Sequence, residues 1–118
     1  MNLRTSIVIK FAVEGLHSWP NAKEVFPEVG FLSDLHRHLF NIEMKCEVFH
    51  DDRDKEFFVE THKVKKFLNQ RYYSTVYQCL NFGPMSCEMI AKDLLINFDC
   101  LSVSVFEDQE NGATIEKI

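Results

Sequence analysis

Two long stretches of alternating residues dominate the first half of the chain and most narrow what it can become. Leu3, Thr5, Ile7, Ile9, Phe11 and Val13 share one parity, with Arg4, Ser6, Lys10 and Glu14 on the other. Residues 35–50 alternate again: His36, His38, Phe40, Ile42, Met44, Cys46 and Val48 on one face, Arg37, Asn41, Glu43, Lys45 and Glu47 on the other. Successive side chains of a strand point to opposite faces, so each stretch predicts a long, half-buried strand. Residues 18–34 between them carry the breakers Pro20, Pro27 and Gly30 and predict a polar connection, of a length that usually serves function. The period then turns helical. Val64, Phe67, Leu68 and Tyr72 mark one amphipathic helix, and Cys87, Ile90, Ala91, Leu94, Leu95 and Phe98 mark a second that opens near Pro84. Residues 100–107 and 113–118 predict two closing strands with Asn111-Gly112 as their turn.

The order strand, strand, helix, helix, strand, strand lacks βαβ alternation. It predicts an α+β fold: an antiparallel four-stranded sheet with two helices on one face, forming a single domain over 1–118. Four strands leave two open edges, which pairing between subunits would satisfy, so a homo-oligomer is expected. Composition excludes several classes. Apolar residues make up 46% of the 118 and charged residues 26%, values of an ordinary globular domain rather than a disordered one. Thirteen basic against eighteen acidic residues give a net charge of −5, so no nucleic-acid partner is expected. No apolar run reaches the length of a membrane span, and the first residues lack a basic-then-apolar signal pattern; the expectation is a cytoplasmic chain with no membrane partner. Cys46, Cys79, Cys87 and Cys100 show no Cys-x-x-Cys spacing, so no disulfide framework is expected, and three of them, on apolar faces, are expected as small buried thiols.

Three histidines carry the chemistry. His36 and His38 lie at i and i+2 of one strand and therefore point the same way, and pairing of the first two strands brings His17 alongside. Three neutral imidazoles suit Zn²⁺, with a fourth position for water or substrate; the competing reading is core or loop histidines without a ligand. Glu107 continues the apolar row Leu101, Val103, Val105. A carboxylate there either ends a strand in water or meets donors such as the guanidine edge of an aminopyrimidinone ring. Ser86, before the second helix, is either its cap or a hydroxyl offered to a ligand. The run His50–Asp54 reads as a solvated turn, too far along its strand to reach the histidines within one chain.

Four segments then fall in a familiar order: Phe11–His17, Leu35-His36-Arg37-His38-Leu39-Phe40, Ser86–Ala91 and Val105-Phe106-Glu107. Together they resemble the 6-pyruvoyltetrahydropterin synthase and 6-carboxytetrahydropterin synthase family over nearly the whole chain. That family shows Phe-x-Ala before a histidine, Leu-His-Gly-His-x-Tyr, Pro-Thr-x-Glu-Asn-x-Ala and a late Tyr-Glu-Thr. The resemblance implies the tunnelling fold, in which sheets of several subunits, as a trimer or hexamer, join into a barrel. It implies zinc on His17, His36 and His38, a pterin or purine-like ligand anchored by Glu107, and a hydroxyl from Ser86. The family's catalytic cysteine has no match in Phe31-Leu32-Ser33-Asp34, and its Asp-His pair has none in Thr75–Asn81. Arg37 replaces the glycine between the paired histidines, and Met85-Ser86 replaces Pro-Thr. Ser33 and Asp34 are the nearest stand-ins for the cysteine, but no catalytic residue is assigned. The expected function is a zinc-dependent lyase acting on a dihydroneopterin triphosphate-like substrate. The alternative is a binding module that keeps zinc and the ring pocket without the family chemistry, and a purely structural zinc is the third reading.

Overall fold

The computed structural model describes every residue, Met1–Ile118. Strand β1 (Thr5–His17) and strand β2 (His36–Val48) pair antiparallel along their whole length, from Thr5 opposite Val48 to His17 opposite His36. β2 also pairs with β5 (Ser102–Glu107), and β5 with β6 (Gly112–Glu116), both antiparallel. The register places Ile9, Met44 and Val103 side by side on one face, all buried. Both long helices cover that face. Helix α2 (Phe57–Tyr72) contributes Val64 and Leu68 to the core, and α3 (Cys87–Asn97) contributes Ile90, Ala91 and Leu94. The opposite face keeps its charges in cross-strand pairs, such as Lys10 with Glu43 at 3.0 Å and Arg37 with Glu14.

Two expectations need correction. The sheet has six strands rather than four, in the order β3-β4-β1-β2-β5-β6, and it is mixed rather than antiparallel. The additional strands are β3 (Tyr73–Ser74) and β4 (Cys79–Asn81), and β4 runs parallel to the end of β1, with Gly15 opposite Leu80. Strands this short have no period to read; their pairing comes from the exposed edge of β1. No barrel forms within the chain, and the sheet stays open at β3 and β6. The polar connection is also more ordered than expected. It folds into a one-turn helix α1 (Ala22–Val25) and a 3₁₀ segment, Pro27–Ser33.

The last turn follows a different pair of residues from Asn111-Gly112. Asp108 and Gln109 both take the left-handed conformation, with φ of 54° and 62°, and the Glu110 N–H donates to the Glu107 carbonyl at 2.8 Å. Two left-handed central residues are what a tight hairpin needs, and Asp tolerates that region better than most side chains.

The parallel contact of β1 and β4 continues past its last ladder pair. The Phe82 N–H donates to the Leu16 carbonyl at 2.8 Å, and the Ser18 N–H to the Gly83 carbonyl at 2.9 Å. These bonds bring residues 82–85 against the end of β1. Gly15 makes the approach possible, because a Cβ there would lie 2.8 Å from the Phe82 ring and 3.1 Å from the Phe40 ring.

Candidate metal centre and adjoining cleft

The β1–β2 ladder ends in the three histidines. His17 faces His36 across the ladder, and His38 follows on the same face. Their ring centroids stand 4.6 Å (His17–His36), 5.2 Å (His17–His38) and 5.0 Å (His36–His38) apart. Phe40, fully buried, packs edge-on beneath His17 and His38. One nitrogen from each ring can be chosen so that all three lie within 4.8 Å of one another.

The remaining nitrogens settle the tautomers. His17 Nδ1 lies 2.9 Å from the Met85 carbonyl, His36 Nδ1 lies 2.8 Å from the Asp34 carbonyl, and His38 Nδ1 lies 2.7 Å from an Asp108 carboxylate oxygen. All three partners only accept, so each Nδ1 carries the proton and donates it. Each Nε2 of a neutral ring is then left with a lone pair. The Nε2 atoms of His17 and His38 are buried and have no hydrogen-bond partner. Buried unpaired acceptors are costly, and a divalent cation relieves the cost. Orientation of the ligand rings through the far nitrogen is the usual arrangement at a histidine metal site. The donor set therefore fits Zn²⁺, which imidazole nitrogens suit as ligands.

Glu107 ends β5 opposite Phe40 and turns its carboxylate to the same place. One oxygen lies 2.9 Å from His17 Nε2 and 3.6 Å from His38 Nε2. The shorter contact is not a hydrogen bond while His17 is neutral, since its single ring proton sits on Nδ1. The neighbouring His17 holds the Glu107 carboxyl below the usual carboxylate range, against the opposing effect of burial. Burial disfavours charged His17, but Glu107 and the Met85 carbonyl outweigh it and raise its pKa. The Cys87 thiol stands 3.7 Å from the same Glu107 oxygen. Burial, reinforced by that carboxylate, pushes its pKa up to about 12, so it stays protonated at neutral pH. All four cysteines are buried free thiols.

Beside the histidines opens a cleft of about 400 Å³, walled by Trp19, Leu32, Pro84, Met85, Ser86 and Glu107 among others. Ser86 caps α3, its Oγ accepting the Met89 N–H at 3.2 Å, while its side of the helix start faces the cleft. No lysine or arginine lines this cleft. Ser33 does not line it either, and its hydroxyl donates to the Gly30 carbonyl at 2.8 Å. His50 pairs with Asp54 in its turn, at 3.4 Å.

Asp108 is the residue that sequence reasoning missed. One carboxylate oxygen accepts from His38 and the other from the Leu39 N–H at 2.9 Å, and these bonds keep its pKa low, the backbone bond most. The only signal for it was an acid directly after Glu107 in a turn, which by itself reads as solvated. Loss of an orienting partner at a metal-bound histidine typically costs about 10–100-fold in metal affinity. Asp108→Ala is expected to weaken zinc binding within that range, measured by chelator competition, with the fold retained.

No protein-family model matches the chain, and no curated protein matches it either. No helix is long and apolar enough to cross a membrane.

Proposed function

We propose that the chain is a zinc protein of the pterin synthase kind, a lyase acting on a dihydroneopterin triphosphate-like substrate in the cleft beside His17, His36 and His38. The observation that carries the metal part of this reading is the convergence of three imidazoles whose Nδ1 atoms are all committed elsewhere. Bound there, Zn²⁺ supplies Lewis acidity to a ligand oxygen. The chain's own groups provide the rest of the site. Glu107 offers a carboxylate to ring N–H and amino donors, and charge-assisted bonds of this type are worth about 1.5–3 kcal/mol. Trp19, Leu32 and Met85 supply apolar walls. Assembly belongs to the same reading: the open β6 edge offers a five-residue strand to a second copy, as a tunnelling-fold trimer or hexamer requires.

A second reading, a binding module for a pterin or guanine-like ligand, is favoured by two observations. The cleft has no basic side chain for a triphosphate, and Ser33 is spent on Gly30 instead of standing in for the family cysteine. Incubation of zinc-loaded protein with dihydroneopterin triphosphate, followed by mass spectrometry, separates the two. Loss of triphosphate or cleavage of the side chain is the result expected of a lyase. Intact substrate, or neopterin without the triphosphate offered in parallel, recovered in stoichiometric complex identifies the binding module, and recovery of neither product nor either complex sinks both.

A further inference from the structure

We infer that Glu107 is itself a metal ligand: in the ligand-free protein its carboxylate closes the fourth position of the His17–His36–His38 centre and leaves it when a ligand enters the cleft. The inference rests on the zinc reading above and extends it. Neutral His17 presents a lone pair from Nε2, and a carboxylate oxygen 2.9 Å away presents another. Two lone pairs at that separation repel unless a proton or a metal ion lies between them, and of the two only a metal ion would also bind the Nε2 atoms of His36 and His38. Zinc–ligand bonds of about 2.0–2.1 Å in tetrahedral geometry put neighbouring ligand atoms roughly 3.3 Å apart. The contacts of Glu107 with His17 and His38, at 2.9 and 3.6 Å, bracket that edge.

The placement also explains why the ligation is exchangeable. Glu107 stands against the His17–His38 edge, outside the tight three-imidazole group, so rotation of its side chain makes or breaks the fourth bond. It sits at the very end of β5, where the strand turns at Asp108, and it is also a wall of the cleft. A ring with paired donors therefore competes with the metal for the same oxygens. Binding such a ligand frees the metal's fourth position next to it, so the centre opens only when the cleft is filled. Cys87 is the other candidate for that position, but its thiol donates to Glu107 and it makes no contact with a histidine nitrogen comparable to those of Glu107 at 2.9 and 3.6 Å.

The test uses the ligand-free chain loaded with Co²⁺, whose visible spectrum reports coordination, together with chelator competition for Zn²⁺. Glu107→Gln is expected to change the cobalt spectrum and to weaken zinc at least about tenfold, since it removes a bond rather than an orienting contact. Glu107→Asp keeps the charge on a shorter arm and should fall between the two, which guards against a glutamine variant that folds poorly. The parent chain gives an independent answer. A fourth position held by Glu107 leaves the cobalt spectrum unmoved by azide, and added neopterin shifts it; a bound water instead exchanges with azide at once. Metal uptake by the parent with an azide-sensitive spectrum, or with unchanged affinity and spectrum in the glutamine variant, overturns the ligation and leaves the three-histidine centre standing. No metal uptake by the parent overturns both.

Discussion

The double substitution His36→Ala and His38→Ala is expected to abolish zinc binding, leaving a chain that folds and sediments like the parent. The three Nε2 atoms form one donor set, and removing two leaves His17 with Glu107, too few protein ligands for the four-coordinate site zinc takes. The fold should survive because neither residue is a core side chain. His36 and His38 are half-buried at the end of β2, while the core begins with Phe40. Of the carboxylates left behind, Glu107 keeps His17 beside it, and Asp108, half exposed, turns to water. Elemental analysis of the purified variant decides the matter. Zinc retained at the parental level would show that the metal sits elsewhere or binds without these rings.

Phe40→Ala is expected to lower stability by about 3–5 kcal/mol, the usual cost of truncating a buried phenylalanine. Phe40 is fully buried and touches both sides of the problem: His17 and His38 at centroid distances of 5.1 and 5.6 Å, and Phe82 at 5.1 Å. The cavity cannot collapse cheaply, because Gly15 already lets the Phe82 and Phe40 rings approach the backbone of β1 as closely as they can. A chain of this size should lose roughly 10 °C or more of melting temperature. Zinc affinity should fall as well, since the floor beneath two of the three imidazoles is gone. The two effects separate by comparison with the histidine double variant, which loses metal without losing the core. A melting temperature within a few degrees of the parent would mean that the ring contributes little packing.

How much of this was legible in the residues follows from where periodicity exists. The alternation of residues 1–14 and 35–50 marks both long strands within a few residues of Thr5–His17 and His36–Val48, and with them the grouping of His17, His36 and His38 on one face. Helix α3 shows in its apolar spacing, but it starts at Cys87 rather than near Pro84, and the structure settles Ser86 as its cap. Helix α2 shows in the spacing of Val64, Phe67, Leu68 and Tyr72, while its first two turns, Phe57–His62, carry no matching stripe. Strands β3 and β4 were invisible for the same reason. A two- or three-residue strand has no pattern of its own, and only the free edge of β1 makes it a strand at all.

What the sequence alone determined is local and periodic: which faces are apolar, which three imidazoles share a side, and that Glu107 continues a buried row. Tertiary structure decided what each of those imidazoles does. The parallel β1–β4 contact carries the Met85 carbonyl to His17, the 3₁₀ segment delivers the Asp34 carbonyl to His36, and the left-handed Asp108–Gln109 turn aims a carboxylate at His38. Each partner except Asp34 is about seventy residues from its histidine in the chain, and two of the three are backbone carbonyls, which every residue possesses. A carbonyl leaves no mark in a sequence, so the choice of proton position on each ring, and with it the direction of the metal-facing lone pair, exists only once the chain has folded.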